Sequence, residues 1–137
     1  MSQAAMNLLR KANIRATTHR TAIVRELMAA KTPLTAEMIH ARVTGADLVT
    51  IYRTLEQLHK GGIVRDVRFK DAIIRYEIAQ DSHHHHLVCT KCGTIDELPG
   101  CAVESLEKNA LEASKRFSSV EEHALEFFGT CVSCAPR

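Results

Sequence analysis

Over its first sixty residues the chain repeats one pattern: short runs in which apolar positions recur every three or four residues, each closed by a breaker. Residues 3–12 predict a helix with Met6, Leu9 and Leu8 inward and Asn13 as its stop. Thr17 or Thr18 can cap a second helix with Ile23, Val24, Leu27 and Met28 on its apolar side, broken by Lys31, Thr32 and Pro33. Thr35 opens a third, with Glu37 in its first turn and Met38, Ile39 and Val43 inward, and Gly45 ends it. Asp47 is the expected N-cap of a fourth, LVTIYRTLEQLHK, which runs to Gly61 and Gly62. Leu48, Ile51, Leu55 and Leu58 form its buried stripe; Thr50, Arg53, Thr54 and Gln57 face the other way, with Tyr52 near the boundary.

After the glycines the period falls from 3.6 to 2. Residues 63–69 and 73–78 predict two strands joined by a turn at Lys70, Asp71 and Ala72. Helices followed by a hairpin is the winged-helix order, in which the last helix enters the DNA major groove. There Arg53 could make a bidentate contact to guanine and Tyr52 an edge contact to a thymine methyl, with Thr50 and Thr54 close by. Beyond Asp81 and Ser82, residues 83–89 and 94–98 predict strands, 101–116 a helix with Val103, Leu106, Ala110 and Leu111 apolar, and 119–128 a last strand. The expected organisation is a winged-helix domain over 1–80 and a small α+β domain over 83–137. The open strand edges of the second predict pairing of two copies into a homodimer.

Charge sharpens the division. Residues 1–80 carry 13 Lys and Arg against 7 Asp and Glu, and residues 81–137 carry 5 against 9. A positive front half suits a phosphate backbone, whereas the absence of Trp argues against a base-stacking surface. No apolar run approaches a membrane span and no leader-like segment opens the chain, so a cytoplasmic protein is expected.

The chemistry concentrates in His83–Gly93, HHHHLVCTKCG, and a second Cys-x-x-Cys pair at Cys131 and Cys134. Under cytoplasmic reduction such pairs favour metal over a disulfide. Two pairs complete a tetrahedron around zinc, so Cys89, Cys92, Cys131 and Cys134 are the expected structural Zn(II) ligands. Cys101 is left over, and no role is assigned to it. On a strand His84 and His86 point to one face and His83 and His85 to the other, so one run can feed two sites. Glu77, Asp96, Glu97, Glu104 and His123 are candidate partners, and such nitrogen–oxygen sets suit Fe(II), Mn(II), Zn(II) or Co(II).

In HHHHLVCTKCG, VTIYRTL and GTCVSC the chain resembles the ferric uptake regulator family of metal-dependent repressors, over nearly its whole length. The resemblance implies the four-cysteine zinc site and a sensing site of Glu77, His84, His86 and Glu97. It implies a more variable second site of His83, His85, Glu104 and His123. Tyr52 and Arg53 match the family's base-reading pair, Arg15 a minor-groove residue and Arg20 a phosphate contact. Pro33 stands where many members place a sensing histidine, which leaves that site one protein ligand short. Zinc sensors typically place a cysteine at Ala79, and peroxide sensors favour Asp at Glu97. Fe(II) is therefore the first expectation for the regulatory ion, ahead of zinc, with manganese or peroxide sensing behind.

The expected function is that of a metal-responsive repressor on a double-stranded DNA operator, without small-molecule substrate or membrane partner. A metal hydrolase would need an open coordination position and a substrate pocket, of which the sequence gives no sign. A zinc store or metal chaperone would take up metal without metal-dependent DNA binding.

Overall fold

The computed structural model describes residues 2–79, 83–101 and 104–136. The chain divides into two compact units, 1–80 and 81–137. The first is α1 (Ser2–Lys11), α2 (Thr18–Ala29), α3 (Ala36–Arg42), α4 (Leu48–Lys60), β1 (Val64–Arg68) and β2 (Ile74–Ile78). The second is β3 (His84–Cys89), β4 (Ile95–Pro99), α5 (Glu104–Ala113) and β5 (Glu126–Gly129). None of these helices is long and apolar enough to cross a membrane.

The helix starts follow local chemistry. Asn13 adopts a positive φ of 57° just past α1, the left-handed stop expected of it. Side-chain oxygens of Thr17, Thr35 and Asp47 accept from the amides of Arg20, Met38 and Thr50, at 3.4, 3.1 and 2.7 Å. Each satisfies one of the amides a helix start leaves unpaired. At the end of α4, a Cβ on Gly61 would stand 2.7 Å from Ile14 Cδ1, so a side chain here would have to displace the tip of Ile14.

The core of the first unit is Leu9, Ile23, Val24, Ile39, Ile51, Leu55 and Leu58, all fully buried. It differs from the pattern reading at four places. Ala5 rather than Met6 joins Leu9 as the buried side of α1. Met28 and Met38 are 40% and 48% exposed, on the rims of faces filled by Leu27 and Ile39. Thr54, expected outward, is buried, because it lies three residues after Ile51 and four before Leu58 on the same face.

β1 and β2 pair antiparallel from Val64↔Ile78 to Arg68↔Ile74. Leu34 bridges to Tyr76, its N–H donating to Tyr76 O (2.9 Å) and its carbonyl accepting from Tyr76 N (2.7 Å). This extra bridge fixes the hairpin to the segment before α3, so the unit is a helical bundle with a wing.

The second unit is a three-stranded sheet in the order β4-β3-β5, antiparallel between β3 and β4 and parallel between β3 and β5. Two expectations are corrected here. The last strand spans only Glu126–Gly129, so His123 lies in the irregular segment before it. The helix is shorter than predicted and buries no residue, Leu106 being 56% exposed; Val103 lies outside the described residues. Glu104 and Glu107 in its first turn favour the positive end of the helix dipole.

Candidate metal centres and nucleic-acid interface

Four sulfurs converge where β3 ends and β5 ends. Cys89 closes β3, Cys92 lies in the turn leading to β4, and Cys131 and Cys134 follow β5, with the four Sγ atoms within 4.8 Å of one another. Cys92 Sγ and Cys131 Sγ are 3.6 Å apart, close to the edge of about 3.8 Å that sulfurs about 2.3 Å from a tetrahedral ion would span. All are free thiols. The turn is built for this: Gly93, at φ +77°, donates its N–H to Cys89 O (2.9 Å) and folds Cys92 back beside Cys89.

Charge around these sulfurs is unevenly distributed. Backbone amides of Cys131, then Cys92 and Lys91, donate to Cys89 Sγ and hold its pKa at about 6. The Thr94 hydroxyl and amide lower that of Cys92. Cys134, surrounded by the sulfurs of Cys131, Cys92 and Cys89, is pushed up to about 12. Mutual repulsion disfavours four thiolates at this separation, and a divalent ion would let all four ionise together. The residues fit a structural zinc.

The histidine run divides as strand alternation requires. The rings of His84 and His86 lie 5.0 Å apart on one face, both buried. Glu97 on β4 and Glu126 on β5 both stand opposite His86 in register. Glu126 Oε2 lies 3.3 Å from His86 Nδ1 and accepts the His86 backbone N–H at 3.2 Å, whereas Glu97 is exposed. The sequence reading missed Glu126; the strand pairing, which a sequence does not print, brings it there. In the first unit Glu77 is buried on β2 and accepts from Arg65 Nε at 2.6 Å. Pro33 is buried and offers no ligand atom.

On the opposite face of β3, ligand atoms of His83, His85, His123 and Cys101 lie within 4.8 Å of one another. Glu104, expected in this set, is not in it: it is exposed in the first turn of α5. Cys101 was missed, although the hairpin register gives a signal. With His84 opposite Pro99, His83 falls level with the residue just before Cys101.

The candidate DNA surface belongs to α4 and the wing. Tyr52 is 45% exposed and donates its hydroxyl to Glu37 Oε1 at 2.8 Å, which raises the Tyr52 pKa and, after a backbone hydrogen bond, lowers that of Glu37. Arg53 is exposed and Thr50 half-buried. Both Tyr52 and Arg53 line a 450 Å³ groove between α4 and the hairpin, with Arg68 and Tyr76 on its far wall. Arg15 is exposed, while Arg20 donates to Arg15 O (3.0 Å) and Gln57 Oε1 (2.7 Å), which pins its guanidinium beside α4.

A winged helical unit joined to a small sheet unit that gathers four thiols makes this an α+β chain with a candidate metal centre. The ferric uptake regulator family model matches residues 11–128. The chain is 37% identical over 90 residues to the ferric uptake regulation protein of Bacillus subtilis, a match spanning 64% of this chain and 59% of that one. It is 28% identical over 133 residues to that of Campylobacter jejuni, spanning 93% and 83%. In fold it is similar to the Helicobacter pylori ferric uptake regulator at a TM-score of 0.81 and 22% identity, covering 98% of this chain and 93% of the other. The chain belongs to the ferric uptake regulator family, whose members are metal-responsive transcriptional regulators rather than enzymes.

Proposed function

We propose that this chain is an Fe(II)-responsive repressor that binds a double-stranded operator as a homodimer. In this reading Cys89, Cys92, Cys131 and Cys134 hold the structural zinc. The regulatory ion is assigned to Glu77, His84, His86 and Glu97, and Thr50, Tyr52, Arg53, Arg15 and Arg20 to DNA. The observation that carries the choice of iron is the make-up of that set: imidazoles and carboxylates without sulfur, with Ala79 where zinc sensors typically place a thiol. Relatives named for ferric uptake regulation support it.

When bound, the regulatory ion would supply positive charge and fixed coordination. His84 and His86 are already held side by side on β3, so they would bind with little ordering cost. Glu77 is paired with Arg65 and would have to share or leave that partner. A preference for the operator of only about 1–3 kcal/mol in the loaded form changes affinity about 5–150-fold. Leu87 and Phe127, both exposed on adjacent strands of the sheet, fit burial against a second copy.

The test is anaerobic purification from iron-replete cells of the native host, followed by metal analysis and operator binding with each ion. Zinc together with iron in every chain, with Fe(II) restoring operator binding after the regulatory ion is removed, is the expected result. Zinc alone, with Fe(II) ineffective, would overturn the iron assignment.

A further inference from the structure

The second histidine face carries a feature that its sequence neighbours do not explain. His83 immediately precedes β3 and His85 is its second residue, Cys101 lies two residues beyond the end of β4, and His123 before β5. The His83 ring centroid is 5.2 Å from that of His85 and 4.5 Å from that of His123. Cys101 Sγ is 3.3 Å from both His85 Nε2 and His123 Nε2. A tetrahedral ion with sulfur at about 2.3 Å and nitrogen at about 2.0–2.1 Å spans an edge of about 3.5 Å between them.

Outer hydrogen bonds fix which ring atoms face the sulfur. His85 Nδ1 donates to Leu125 O at 3.0 Å, since a carbonyl can only accept. His123 Nδ1 likewise donates to the Glu107 carboxylate. With Nδ1 so engaged, it is Nε2 of each ring that faces Cys101, and a neutral imidazole presents a lone pair there. A thiol has one proton for two such acceptors, and a thiolate has none. A cation satisfies all three atoms at once, and a histidine oriented by a carboxylate or carbonyl is the usual partner of a bound metal.

We propose that Cys101 is a metal ligand, completing a His3Cys site with His83, His85 and His123 that takes a tetrahedral, thiophilic divalent cation of the zinc type, with Glu107 as a positioning residue. A thiolate in place of a carboxylate moves the preference away from manganese and toward zinc or cobalt. The site also has a mechanical consequence. The four-cysteine cluster fastens the end of β3, and this one fastens its beginning, in a sheet whose helix buries nothing. The proposal concerns the second unit alone and is independent of which ion regulates DNA binding.

The test uses the full chain with one zinc already in the four-cysteine cluster, titrated anaerobically with Co(II). Wild-type protein should show tetrahedral cobalt absorption with a near-ultraviolet sulfur-to-cobalt charge-transfer band. Cys101→Ser should lose that band, and Glu107→Gln should keep it while binding about 10–100-fold more weakly. A band undiminished in Cys101→Ser, or cobalt taken up by wild type with only weak six-coordinate absorption, overturns the assignment. Should Cys101→Ser not fold, alkylation of the wild type decides. A second equivalent of zinc should protect Cys101 from iodoacetamide, read by mass spectrometry, and unchanged labelling contradicts the proposal.

Discussion

The two halves of this molecule are held together by different means. Among the described residues, seventeen buried apolar side chains lie in the first unit, whereas the second contributes only Val88 and Cys89. The second unit instead gathers two clusters of metal-ligating atoms, and leaves Leu106, Phe117 and Phe127 exposed. A unit of 57 residues that buries so little apolar surface needs another source of stability. Ions bound at the ligand clusters at both ends of its central strand would provide that, and would make its order conditional on metal in a way the first unit's is not.

The largest expected effect separates the halves outright. Cys92→Ser should abolish zinc retention and unfold the sheet unit, since structural zinc contributes apparent free energies of about 10–16 kcal/mol in small zinc-dependent folds. Hydrogen exchange should then show protection lost over residues 83–136 and kept in α2 and α4. Next is a cavity in the other half: Leu55→Ala should cost the winged unit about 2–5 kcal/mol in denaturant unfolding and leave zinc content unchanged. Arg53→Ala is smaller and should touch neither fold. It should weaken binding to a specific promoter fragment by about 1–3 kcal/mol in fluorescence anisotropy, with metal content and melting unaltered.

The smallest effect is a pH response confined to the first unit. Hydrogen bonds from the Thr50 hydroxyl and amide hold Asp47 below its ordinary value. A carboxylate lowered on folding contributes stability that is complete above its unfolded pKa, about 3.9, and is lost as pH falls through the lower native value. Asp47→Asn should therefore flatten the acid limb of the winged unit's thermal stability below about pH 4, measured by circular dichroism.

How much of this was legible in the sequence follows the same division. In the first unit, caps at Thr17, Thr35 and Asp47 and the stripe of Ile51, Leu55 and Leu58 were readable, because local hydrogen bonds and helical period determine them. Thr54 and Met38 were misplaced because polarity was read in place of position on the face. In the second unit, alternation correctly divided the four histidines between faces. Cys101, Glu107 and Glu126 escaped, because they join those faces only through strand pairing and a loop that carry no periodic signal. The strand expected over 119–128 failed for a related reason: alternation in VEEHALEFF satisfies a pattern, but only 126–129 find a partner in β3.

The central proposal is that an ion bound by Glu77, His84, His86 and Glu97 governs how the winged unit grips a duplex. Fluorescence anisotropy of a labelled promoter fragment, with random-sequence competitor, measures this directly on zinc-containing protein titrated anaerobically with Fe(II). The account predicts tight, competitor-resistant binding that rises with Fe(II), collapses on chelation and is lost in His86→Ala with its structural zinc intact. Equal binding with and without the ion, or no preference for the promoter at any loading, would contradict it.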